Sequence, residues 1–89
     1  MEPKVLVIDE KDNVAVALED IPAGSEISLP DGRRFDAVSH IPYSHKVALV
    51  ALSAGDTVVK YGEGIGCAAD DIEVGELVHT HNLKPTEGT

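Results

Sequence analysis

Asn13-Val14-Ala15-Val16-Ala17-Leu18-Glu19-Asp20-Ile21-Pro22-Ala23-Gly24 sets the fold reading: a short valine-rich burst, two carboxylates, then a tight corner closed by glycine. β-Branched side chains suit a pleated strand, and Pro followed two residues later by Gly suits a reversal in which glycine takes positive φ. The corner phrase recurs in Ala51-Leu52-Ser53-Ala54-Gly55 and in Asp71-Ile72-Glu73-Val74-Gly75, each with an apolar residue three before the glycine. Spacings of 31 and 20 residues between these glycines are unequal, so the phrase reads as a recurring hairpin corner and not as a solenoid repeat.

Outward from these corners the same rhythm holds. Apolar bursts end at Gly, Pro, Asp or Ser, and no i, i+3, i+4, i+7 pattern runs for three turns. Strands are expected at residues 5–8, 14–18, 26–28, 34–38, 46–51, 57–59, 65–68 and 76–81, with one short helical turn at 41–44. Residues 1–83 read as a single all-β domain. Residues 84–89 read as a flexible C-terminal tail with little apolar to bury.

A domain of 89 residues buries only about 60% of its unfolded surface, so a partner or a homo-oligomer is expected to support it. Sixteen acidic against seven basic side chains give a net charge of −9, which disfavours nucleic acid and anionic membrane surfaces. The same charge disfavours capture of an anionic substrate by this chain alone. With Cys67 the single cysteine, no intrachain disulfide forms, which suits a reducing compartment. No apolar run approaches the length of a membrane span or a signal h-region, and the expected location is the cytoplasm. Only Phe35, Tyr43 and Tyr61 are aromatic, too few for a sugar-stacking or base-stacking platform.

His79-Thr80-His81 is the most pointed chemical feature. On a strand, alternate residues share a face, so both imidazoles would reach one metal or one substrate. Two solvent-facing histidines at the end of an edge strand would give the same sequence. His45 stands at the mouth of the apolar run 47–50, either as a third imidazole for acid–base work or as an unpartnered loop residue. Lys46 is a candidate for neutralising a substrate carboxylate, or a solvated lysine. Tyr61-Gly62-Glu63-Gly64-Ile65-Gly66 lacks the spacing of a phosphate loop and suits a bulge or strand crossing.

Four phrases in order carry a resemblance: Asn13-Val14-Ala15-Val16-Ala17-Leu18, Ser44-His45-Lys46-Val47-Ala48-Leu49, Lys60-Tyr61-Gly62-Glu63-x-Ile65-Gly66, and Val78-His79-Thr80-His81-Asn82-Leu83. Together they resemble the SAF domain of the altronate and galactarate dehydratase family. Ser44 and Gly64 depart from the usual pattern. The resemblance implies a β-clip fold of short strands with long bends. It implies a small subunit, or N-terminal domain, of a lyase acting on a sugar acid or sulfo-acid, with a large catalytic subunit as partner. It also implies a divalent metal, Fe2+, and elimination from a 2-hydroxy acid with water or sulfite leaving. His45, His79 and His81 are then the candidate catalytic residues, His79 and His81 the candidate metal ligands, and Lys46 and Asn82 the candidate substrate-binding residues. The competing reading is a non-catalytic SAF binding or assembly module, or a purely structural interaction domain of the lyase.

Overall fold

The computed structural model describes residues 4–85, and these form nine short strands with no helix. In chain order they are β1 (Val5–Leu6), β2 (Val14–Ala17), β3 (Glu26–Ser28), β4 (Arg34–Asp36), β5 (Lys46–Ala48), β6 (Thr57–Lys60), β7 (Glu63–Ala68), β8 (Leu77–Val78) and β9 (Leu83–Pro85). A four-stranded antiparallel sheet in the order β1-β2-β5-β8 carries the β3-β4 ribbon and the β6-β7-β9 sheet as separate units. The fold is all-β, as expected of a β-clip.

Two cores flank the central sheet. The first joins Val5, Ala15, Ala17 and Val47 to Ile27 and Leu29 of the β3 arm, and the second joins Val14, Ala48 and Val78 to Val58 of β6 and Ala68 of β7. Alternation along a strand explains the division, because Val14 and Ala15 point to opposite faces and both are buried. A strand covered on both sides reads as a continuous apolar run, which is why Val14-Ala15-Val16-Ala17 shows no polar alternation.

The expected helical turn at 41–44 is instead a fourth corner. Ile41 bridges Ile21 as Leu52 bridges Ile72, and Ser44 takes φ +68° where the other corners use Gly24, Gly55 and Gly75. With it in place the corners form two pairs, Gly24 with Gly55 and Ser44 with Gly75, each 31 residues apart. Hydrogen bonds repeat at that interval. Gly24 N–H donates to Ala37 O at 2.7 Å and Gly55 N–H to Ala68 O at 2.8 Å; Ser44 N–H donates to Ala17 O at 2.8 Å and Gly75 N–H to Ala48 O at 2.9 Å. The domain is thus a duplication of a strand-corner-ribbon-corner unit, hidden in sequence because Ser replaces Gly in one corner.

Two other expectations change. Lys84 and Pro85, placed in the tail, pair with Cys67 and Gly66 as strand β9, while residues 86–89 lie outside the described region. The pairing is permitted because Gly66 has no side chain, and a Cβ there would collide with the Lys84 carbonyl oxygen. The strand expected at 76–81 ends at Val78, so His79 and His81 are not alternate residues of one strand. The glycine-rich segment does hold a bulge, with the register shifting between Val58 and Val59 opposite Gly66 and Gly64.

Candidate functional site

The antiparallel register of β5 and β8 pairs Lys46 with Val78 and Val47 with Leu77, and one step further it sets His45 opposite His79. Directly opposed residues share a face of the sheet. The two rings accordingly meet with centroids 4.6 Å apart and planes tilted by 46°. His45 Nδ1 lies 3.1 Å from Tyr43 O. A carbonyl only accepts, so this contact assigns the proton of a neutral His45 to Nδ1 and leaves Nε2 as the free acceptor.

His79 is the first residue of a turn. Asn82 N–H donates to His79 O at 3.0 Å, and the Asn82 side chain closes the loop from inside. Its Oδ1 accepts from His79 N–H at 2.9 Å, and its Nδ2 donates to Leu77 O at 2.8 Å. Asn82 is only 3% exposed, so its amide serves the backbone that carries His79 and is turned away from solvent. His81, exposed, sits within the same turn, and its imidazole adds to the charge felt by His79.

Partial loss of hydration, then the nearby charges of His45, Lys46 and His81, hold His79 below its ordinary value of 6.5. A neutral imidazole at neutral pH is a proton acceptor. Lys46 belongs to the other side of the sheet: it alternates with Val47 and shares the face of Ala48 and Val78, both in the second core. Burial, and after it the ammonium of Lys60, pushes Lys46 below its ordinary value.

These residues do not make a metal centre by themselves. Among the described residues no group of three or more His, Cys, Asp or Glu side chains is gathered, whereas a catalytic metal takes about three protein ligands. The groups around His79 are cationic or neutral, which suits an anion better than a second cation. A groove of about 300 Å³ elsewhere is lined by Asp9, Glu10, Asp12 and Asp31 with Arg33 and contains no histidine.

Sequence reasoning passed over the polar clamps that hold the frame. Asn13 Oδ1 accepts from Val59 N–H at 2.7 Å and Asn13 Nδ2 donates to Thr57 O at 2.9 Å, tying β6 to the start of β2. Asp12 Oδ1 accepts from Gly62 N–H at 2.8 Å. Burial opposes ionisation of Asp12, but backbone N–H groups of Gly62, Asp9, Tyr61 and Ile8 outweigh it and hold the carboxyl below its usual range. Their signal in the sequence is slight, an Asp-Asn pair just before a strand.

The comparisons with known proteins agree with this frame. The sequence profile of the altronate/galactarate dehydratase SAF domain matches residues 3–86. The (2R)-sulfolactate sulfo-lyase subunit alpha of Paracoccus pantotrophus is 61% identical over 51 residues, covering 57% of this chain and 76% of that one. The subunit of the same name from Chromohalobacter salexigens is 36% identical over 85 residues, covering 89% and 90%. Altronate dehydratase of Bacillus subtilis is 40% identical over 77 residues, 86% of this chain but only 15% of the enzyme. With residues 3–86 matched by the family profile, the chain belongs to the altronate/galactarate dehydratase SAF domain family.

Proposed function

We propose that this chain is the small subunit of a 2-hydroxy-acid lyase of the sulfolactate sulfo-lyase kind, and that it lends His45 and His79 to an elimination site completed by a separate large chain. The observation that carries the reading is the register-paired imidazole couple at the open end of the central sheet. The alpha-subunit name of two relatives, one of them matched over 90% of its length, supports a two-chain enzyme.

The chemistry follows from the groups present. His79, neutral at neutral pH, accepts the proton from C2 of the 2-hydroxy acid, and His45 Nε2 supplies the second acceptor position. The electron pair from the C2–H bond forms the C2–C3 double bond as the C3–S bond breaks and sulfite departs with its pair. The enol then takes a proton at C3 and loses the hydroxyl proton, giving the 2-keto acid. Asn82 is a positioning residue, fixing the His79 backbone from inside the turn. The pocket that distinguishes sulfonate from hydroxyl is assigned to the large chain, since His79 is exposed and His45 only half-buried on the described surface. The iron expected of the family would draw most of its ligands from that chain, and the cytoplasm is the proposed location.

The test is sulfolactate turnover by the two-chain complex. His79→Ala and His45→Ala should each lower kcat by about 100-fold while the complex still forms on gel filtration. Unchanged kcat in both variants would assign the chain a non-catalytic role.

A further inference from the structure

The two outer strands of the central sheet end it differently. At β8 the outward backbone groups are taken: Leu77 N–H donates to Ser39 Oγ at 3.3 Å, and Leu77 O accepts from Asn82 Nδ2 at 2.8 Å. Among the described residues, β1 has a strand on one side only. Leu18 N–H donates to Lys4 O at 2.8 Å and Leu6 pairs with Val16, so Lys4 and Leu6 direct their backbone groups to β2. The alternate residue, Val5, therefore points its N–H and C=O to the side where the sheet stops.

Side chains along the same segment are unusual for an edge. Val5 is buried in the first core and Val7 packs against it, but the alternate residues Leu6 and Ile8 are 42% and 53% exposed. Edge strands ordinarily set polar or charged side chains toward solvent, because apolar ones invite another strand. From Ile8 onward the chain borders the groove of about 300 Å³, whose other wall is the β3-β4 ribbon at Leu29 and Pro30. Four carboxylates, Asp9, Glu10, Asp12 and Asp31, line it against the single guanidinium of Arg33. Arg33 is engaged by Asp31 at 2.8 Å and Asp12 by backbone N–H groups, and no lysine or arginine of the described residues pairs with Asp9 or Glu10. An open edge, an apolar flank and surplus negative charge thus follow one another along residues 5–10.

We propose that the β1 edge and the acidic groove are the surface on which the large chain docks. An extended segment of that chain, alternating apolar and basic side chains, adds as a strand beside β1, covers Leu6 and Ile8, and places a lysine or arginine in the groove with Asp9 and Glu10. The proposal rests on the two-chain reading above, in which surface contacts alone hold the small chain. Charge selects this occupant, because a second copy of the chain, at net −9, would bring like charge to an acidic groove. β1 is the edge of the sheet farthest from β8, so the docked segment leaves the imidazole couple clear.

The test is titration calorimetry of the purified large chain with this chain, unaltered and as Ile8→Gln, Glu10→Lys and Asp70→Lys. Ile8 and Glu10 are exposed, so their variants keep the fold. Each should raise Kd about tenfold, whereas Asp70→Lys, outside the groove, leaves it unchanged. Affinity of the unaltered chain should fall as salt is raised, and amide exchange in the complex should show new protection at residues 5–8. At saturating large chain, kcat stays the same in both groove variants, so loss of the docking reading is read in Kd and loss of the lyase reading in the kcat of the histidine variants. Unchanged Kd in Ile8→Gln and Glu10→Lys would overturn the proposal. So would self-association of this chain that Ile8→Gln abolishes, which would make a second copy the occupant.

Discussion

The two halves of this domain share a backbone plan and differ in what they do with it. Residues 14–44 and 45–75 each run strand, corner, ribbon, corner, and the corners bridge in the same way, Ile21 to Ile41 and Leu52 to Ile72. The first half closes its own ribbon, although its core also takes in Val5, Val47 and Leu49 from outside it. Its hairpin turn is held locally, with Asp31 Oδ1 accepting from Arg33 N–H at 3.0 Å, and Phe35 packs on its core. The second half borrows: Asp12 reaches across to Gly62 N–H, and Gly66 in the position of Phe35 lets β9 lie against it. The lesson is that a duplicated frame lets one copy take part of its closure from flanking segments, the Asp12 clamp and β9, while the backbone plan is kept.

The contrast can be broken most severely at Gly66. Gly66→Ala would drive a Cβ into the Lys84 carbonyl oxygen, detach β9 and uncover Leu83, which packs against the second core. The expected cost is about 3 kcal/mol or more, read as a lower midpoint in denaturant and lost exchange protection at residues 83–85. The equivalent position in the first half already carries Phe35, so Phe35→Ala should leave β9 protected.

A middle-sized effect is expected at the borrowed clamp. Asp12→Ala leaves the part-buried N–H groups of Gly62 and Asp9 without their acceptor, at about 1 kcal/mol. Because the folded carboxyl sits below its ordinary value of 3.8, its stabilisation is complete above that pH and is lost as pH falls through the folded value. Acid titration below about pH 4 should loosen the 60–63 turn in the native chain but change little further in Asp12→Ala. An identical acid response in both proteins would remove Asp12 from this role.

The smallest effect sharpens the comparison. Ser44 is the one corner residue of four that is not glycine yet adopts φ +68°. Ser44→Gly relieves that conformation, and a gain of about 0.5–1 kcal/mol in thermal or denaturant stability is expected. A loss would mean that the serine hydroxyl stabilises its corner in a way the backbone equivalence does not capture.

The strand positions and three corners were legible in sequence because β-branched bursts and glycines at positive φ are local signals. The fourth corner was not, although Ile41-Pro42 repeats Ile21-Pro22, because Ser44 lacks the glycine by which corners are recognised. Strand β9 was illegible for another reason: its pairing depends on an absent side chain at Gly66, many residues away. At the site, both His45 and His79 stand out in the sequence, but what joins them is strand register and not proximity in sequence. His79 and His81 were expected to act together through strand alternation, and the Asn82 clamp replaces that strand with a turn.

Because the imidazole couple is made by register, it is indifferent to the length of the excursion that separates its members. Residues can be added to or removed from the β6-β7 arm without moving His45 relative to His79, provided β5 and β8 keep their alignment. A slip of one residue in that alignment is another matter, since it would turn the two rings to opposite faces and divide the couple while leaving every strand in place. Natural or engineered variants of this domain therefore have wide freedom in loop length and none in parity.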